Sequence, residues 1–149
     1  MMNKYEHTQI GYLLLVLYSV VILFVDYLNI TVGYNPISLL VLLIMLIVLA
    51  LFATLTISVD DQMIRLQFGV GVIRKRFLLR DIETYQVVKN PWYYGWGIRY
   101  TPRGWLFNVS GFSAIELQMK SGKRYRIGTD DPEGLARAVG QVLNDASIR

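Results

Sequence analysis

Hydrophobic residues run almost unbroken from Ile10 to Ala53, a stretch in which Asp26 is the only charged side chain. After Thr54 they alternate with polar residues, and near the C-terminus they recur at spacings of three and four. The three regimes predict two apolar helices, a set of half-buried strands and a closing amphipathic helix.

The first apolar run, Ile10 to Leu28, would form a helix about 28 Å long, close to the ~30 Å hydrocarbon thickness of a bilayer. It exceeds the roughly 7–15-residue core of a secretion signal, and no small-x-small cleavage site follows it. A retained anchor is the expected reading. The uncharged link Asn29–Asn35 leads into Pro36, and Asn before Pro is a helix-start signal, because proline at the first helical position lacks only an N–H that would be unpaired. The second run, Pro36 to Thr56, carries no charge. Spans joined by so short a link form an antiparallel hairpin. Arg65, Arg74, Lys75 and Arg76 follow the second span, whereas the link has no Lys or Arg. The positive-inside rule then places both termini in the cytoplasm and the chain in the plasma (inner) membrane as a multi-pass protein. Asp26, beside Tyr27 near the outer end of the first span, reads as a solvated interfacial acid.

The remainder predicts short strands. "TLTISV" and "MIRLQF" make a hairpin around Asp60-Asp61, and Gly69 and Gly71 break the run before "VIRKRF", where Arg74 and Arg76 share one face. "IETYQVVK" follows, ended by Asn90-Pro91. "GIRYTPRGWLFNV" supplies two β-pieces around a Thr101–Gly104 turn, and "SAIELQM" and "KRYRIG" form a hairpin around Ser121-Gly122. This spacing argues for an antiparallel barrel or sandwich. Asp131, Pro132 and Glu133 then read as N-cap and first turn of a helix whose stripe is Leu135, Val139, Val142 and Leu143. The division expected is a helical hairpin over residues 1–56 (spans about 10–28 and 36–56) and a globular domain over 57–149.

Composition sharpens this. The 149-residue chain is 54% apolar with mean hydropathy +0.38, yet fourteen of its fifteen Lys and Arg lie beyond position 57, against nine Asp and Glu there. A basic domain held at a membrane suits anionic lipid. Nucleic acid is not expected, since the basic residues are scattered and no recognition motif is present. The absence of cysteine removes disulfides, thiol catalysis and thiolate metal sites. With His7 the sole histidine, no serine–histidine pair and no multi-histidine metal set exists, and the acid pairs Asp60-Asp61 and Asp130-Asp131 sit in a turn and a cap. "GVGVIR" leads into a strand, unlike a phosphate-cradling loop. Neither enzyme nor cofactor is expected.

The segment "NPWYYGWGIRYTPRGWLFNVSG", Asn90 to Gly111, holds all three tryptophans. It is read either as a structural corner or as an aromatic–basic platform in which Trp92, Trp96, Arg99 and Arg103 meet lipid or a protein. Trp105, inside an alternating strand, is expected to be buried, and Trp92, next to Pro91, exposed.

The strand series and terminal helix after a membrane hairpin resemble the bacterial pleckstrin-homology-like domain proteins. The run "YYGWGIR…GW.FNVSG…IEL…G…RIGTD.PE.L" carries that resemblance, which spans residues 54 to 149. It implies an α+β membrane protein with a seven-stranded antiparallel barrel or sandwich closed by one helix, and no particular activity. Eukaryotic phosphoinositide-binding relatives are basic along the first hairpin. Here that turn is Asp60-Asp61, and the basic cluster Arg74-Lys75-Arg76 falls later. The expected function is a membrane-anchored, non-enzymatic binding module that meets anionic head groups or a membrane-protein partner. The alternative is a structural subunit that self-associates through its hairpin and a sheet edge.

Overall fold

The computed structural model describes residues 4–147, the side chain of Ser147 excepted. Residues 1–3 and 148–149, the outer ends of the two expected segments, lie outside that range. The chain starts with a strand, β1 (Tyr5–Ile10), and only then enters α1 (Tyr12–Val32) and α2 (Pro36–Phe52). Eight further strands follow: β2 (Thr54–Val59), β3 (Met63–Phe68), β4 (Ile73–Leu78), β5 (Ile82–Lys89), β6 (Gly97–Thr101), β7 (Gly104–Asn108), β8 (Ser113–Met119) and β9 (Arg124–Gly128). The chain closes with α3 (Pro132–Ser147). The protein is thus α+β, with two N-terminal helices, sheets of four and five strands, and a C-terminal helix.

The helices differ from expectation at their ends. α1 runs on to Val32, so the link shrinks to Gly33–Asn35 and Asp26 lies more than a turn inside the helix. α2 stops at Phe52, because β-branched Thr54 and Thr56 already belong to β2 and pair with β1. Asn35 caps α2 as its sequence predicts, accepting the Ile37 N–H at 2.8 Å with Pro36 at the first position. Near this tip Ser38 Oγ donates to the buried Asn29 Oδ1, the one buried side chain of α1.

β1 was not legible in the sequence, and it changes what the globular part consists of. It pairs antiparallel with β2, from Tyr5 opposite Val59 to Ile10 opposite Thr54. The two helices are therefore inserted within a β-hairpin, and Gly11 N–H donates to Ala53 O at 2.7 Å where a tight turn would otherwise sit. β3 and β4 complete this antiparallel sheet, with Asp60 accepting the Gln62 and Met63 N–H groups in the β2–β3 turn. The β3–β4 loop needs its glycine: Gly69 has φ +47°, and a Cβ there would lie 2.0 Å from Ala50 O of α2.

The second sheet runs β5-β8-β9-β7-β6. Its β7–β9 pair is parallel, which corrects the all-antiparallel expectation, and the two sheets stay separate and open rather than closing into a barrel. The reason is that the β6–β7 hairpin docks beside β9 rather than beside β8, its sequence neighbour. Between the sheets lie Ile57, Ile64, Leu66, Phe68 and Phe77 from the first, and Phe107, Ile115, Leu117 and Ile127 from the second. Each such side chain contributes roughly 1.5–3 kcal/mol by leaving water. α3 adds Leu135, Val139 and Val142, buried, with Leu143 partly so, as its spacing predicts. Asp131 caps α3 through the Gly134 N–H at 3.0 Å, and its second oxygen accepts the Tyr5 hydroxyl at 3.1 Å. Lys4 Nζ reaches Asp145 and Asp61, at 2.8 and 2.9 Å, and these carboxylates raise its pKa.

Two outcomes are expected. Excising residues 12–52 and joining Gly11 to Ala53 through Asn-Gly should give a soluble, cooperatively unfolding domain, because the β1–β2 register already suits a short hairpin. The chain 57–149, which lacks β1 and part of β2, should aggregate, and circular dichroism with gel filtration separates the two. Burial and then the bond to Asp131 hold the Tyr5 phenol above its ordinary value of 10.0. A raised folded-state value stabilises fully below pH ~10 and is lost as pH climbs past it. Tyr5→Phe should therefore flatten the alkaline fall of the melting temperature.

Candidate binding surface

The outward face of the first sheet is polar, because alternation sends Leu55, Ile57, Val59, Ile64, Leu66 and Phe68 inward. Its register builds two rows across all four strands: Thr8–Thr56–Gln67–Arg74, nearer the helices, and Glu6–Ser58–Arg65–Arg76. Together they line an open groove of about 660 Å³. Arg65 and Arg76 face each other directly across β3 and β4, an unfavourable pairing unless countered. Arg65 is countered by the buried Asp60. Arg74 Nε donates only to Gly71 O at 2.6 Å, and Arg76 has no carboxylate partner among the described residues. Two guanidinium groups thus line a hydroxyl-rich groove with charge to spare, which suits a phosphate or carboxylate ligand. Lys75 belongs elsewhere: on the opposite face of β4, its Nζ lies 5.9 and 5.7 Å from the Phe77 and Tyr125 ring centres.

The aromatic segment divides. Its first part, Asn90 to Trp96, folds onto the outward face of the second sheet, where an ion pair is buried. Arg126 Nε donates to Glu116 Oε2 at 2.7 Å and its Nη1 to Asn90 Oδ1 at 2.9 Å, with the Tyr94 ring 5.8 Å from the guanidinium carbon. Gln86 donates to the other Glu116 oxygen at 3.2 Å. Glu116, Arg126 and Asn90 were invisible to sequence reasoning, since polar residues alternating along a strand read as solvated. The one available signal was the loop itself, whose aromatic weight needs something to cover.

Trp92 is 77% exposed, as expected. Trp96 packs half-buried against Phe112, ring centres 6.1 Å apart. Arg99 is occupied locally, its Nε donating to Trp96 O at 2.9 Å. Arg103 lies in the β6–β7 turn, at the other end of the sheet from Trp92. The four platform candidates therefore do not converge on one site. Trp105 is 44% exposed, against expectation. It shares the inward side of β7 with Phe107, but stands at the open end of the strand, where Tyr100 is its edge-on neighbour at 5.5 Å.

Truncating Arg126 to Ala should cost about 3–5 kcal/mol, because it strands a buried carboxylate. Trp92→Ala should leave stability within about 0.5 kcal/mol of wild type. Denaturant melts of the full chain in one detergent check both.

Compared with known proteins, the chain matches no family model, and no curated protein or solved structure matches it.

Proposed function

We propose that this protein is a membrane-anchored, non-enzymatic binding module whose domain contacts anionic lipid head groups at the cytoplasmic face. One observation carries the reading: apart from Asp26 in α1 the helices carry no charge, and beyond each other they have almost nothing packed against their apolar surfaces. α1 is long and apolar enough to cross a membrane. It buries only Asn29, and α2 buries nothing. Leu17, Phe24, Ile30, Leu40 and Ile44 are all more than half exposed. Such a surface is unfavourable in water and ordinary in lipid. α2 covers about 25 Å at ~1.5 Å per residue, enough for a modestly thinned or locally adapted bilayer.

With both helices crossing, β1 and β2 emerge side by side on one face, and the basic residues place that face in the cytoplasm under the positive-inside rule. The Arg74 row of the outward groove then lies about 10 Å from the helix junction at Gly11 and Ala53, at ~3.4 Å per residue, within reach of phosphate head groups. The pleckstrin-homology-like affiliation belongs to the same proposal. A two-sheet domain with a C-terminal helix supports it, whereas the strand preceding the helices and the parallel β7–β9 pair depart from it.

The chain has no cysteine of its own, so single cysteines at Thr31 and Ser121 report topology. An impermeant thiol reagent on intact cells should label Thr31→Cys and spare Ser121→Cys. In the same membranes, crosslinking to a photoactivatable anionic phospholipid should fall more than tenfold in the Arg74→Glu, Arg76→Glu double variant, since each surface charge contributes about 1 kcal/mol and its reversal removes more. Labelling of Ser121→Cys refutes the orientation, and unchanged crosslinking refutes the head-group contact.

A further inference from the structure

The connections at the two ends of the sandwich are sorted by charge. At the end away from the helices, every connection is charged: Asp60 and Asp61 after β2, Arg80 and Asp81 after β4, Arg103 after β6, Lys120 and Lys123 after β8. At the helix end the loops Gly69–Val72, Asn90–Trp96 and Val109–Phe112 contain no charge at all. The fourth connection there, Thr129–Asp131, is acidic but turns back along β1, with Asp130 on His7 at 2.5 Å and Asp131 on Tyr5.

Two of the uncharged loops are fastened to the helix bases. Val70 N–H donates to Ala50 O of α2 at 3.2 Å, so the β3–β4 loop stands beside the last turn of that helix rather than below it. Gln9 Nε2 donates to Ser110 O at 2.7 Å, and a Cβ on Gly11 would lie 3.1 Å from Val109 O, which puts the β7–β8 loop against the start of α1. The side chains these loops present outward are apolar: Val70 is 69% exposed, Val72 74% and Phe112 47%. β-branched residues and phenylalanine held out in uncharged, glycine-flanked loops have no role in the core, which Phe68 and Val109 already close from within.

We infer that Val70, Val72 and Phe112 form an apolar rim that enters the interfacial layer of the same bilayer the helices cross, so that the domain is seated on the membrane with its helix end down. The occupant is lipid rather than a protein, because the rim adjoins the exposed helix surfaces: the β3–β4 loop is hydrogen-bonded to the last turn of α2, and the β7–β8 loop to Gln9, two residues before Gly11 and α1. Side chains level with Ala50 of α2 lie at the depth of that residue. The one-residue connectors Gly11 and Ala53 allow the domain no swing that would lift the rim away. Seating also fixes which part of the arginine groove meets lipid: the Arg74 row faces the head groups and the Arg76 row lies farther out. The inference rests on the helices crossing a membrane.

The test uses the full chain in phosphatidylcholine–phosphatidylglycerol vesicles that carry a nitroxide-labelled lipid, the spin near the top of the acyl chain. Bimane is attached singly to Val70→Cys, Val72→Cys, Phe112→Cys, to Val20→Cys in mid-α1, and to Ser121→Cys at the far end. Val70, Val72 and Phe112 positions should lose most of their emission with a blue shift, as Val20 does, while Ser121 keeps its own. Quenching at Val20 alone overturns the rim and leaves the anchor standing. Equal quenching at Ser121 and at the rim overturns the seated orientation. No quenching at Val20 overturns the anchor and the rim with it.

Discussion

The pairing of β1 with β2 across the helical excursion holds the rest of the architecture in place. Packed helices have axes about 8–10 Å apart, whereas paired strands are about 4.8 Å apart, so a helical hairpin cannot continue straight into a β-hairpin. One residue on each side makes the adjustment. Gly11 allows it because the carbonyl oxygens of Val109, Ala53 and Phe52 surround the place where a Cβ would stand, at 3.1, 3.2 and 3.4 Å. Closing a loop the length of residues 11–53 would cost roughly 3 kcal/mol in chain entropy were it flexible. Formed as two antiparallel helices tied at the tip by Ser38 and Asn29, it delivers both strand ends already close together.

The two sheets solve the problem of their outward faces differently. The first leaves its face wet, and its cross-strand rows of hydroxyls and guanidinium groups are exposed. The second contains the parallel β7–β9 pair, and parallel strands are stable mainly when covered on both sides. The aromatic loop supplies cover through Tyr94 and Asn90 on Arg126, and Leu106, on the outward side of β7 and paired with Arg126, is fully buried. Once water is excluded there, Glu116 and Arg126 can persist only as a pair whose remaining groups are also satisfied, which Gln86 and Asn90 do. The segment richest in aromatics is therefore first a lid, and Trp92 is the part of it left outside.

These features give the proposed role its geometry. A domain joined to its helices by a strand pair, rather than by a flexible linker, would present one fixed end to a membrane that those helices crossed. Weak contacts at that end act in concert because none requires a new association event. The arginine groove, two rows deep, adds charge attraction where head groups would be reached. Screening over about 8 Å at physiological salt confines that attraction to groups near the surface.

By itself the sequence determined what depends on neighbours along the chain. The two apolar helices, the caps at Asn35 and Asp131, the Asp60-Asp61 turn, the glycine loop at Gly69 and Gly71, the Thr101–Gly104 turn, the shared face of Arg74 and Arg76 and the stripe of α3 all follow from local geometry and the 2.0 and 3.6 periods. What it left undecided depends on partners distant in the chain. "YEHTQI" is too short and polar to announce a strand and becomes one only because β2 returns beside it. The parallel placement of β7 against β9 depends on which hairpin docks where. The burial of Glu116 and Arg126 depends on a loop arriving from elsewhere in the chain. Trp105, sharing the inward phase of Phe107 yet left half in water, shows the same limit: periodicity assigns a side of the strand, while only the packed sandwich decides how far its cover extends.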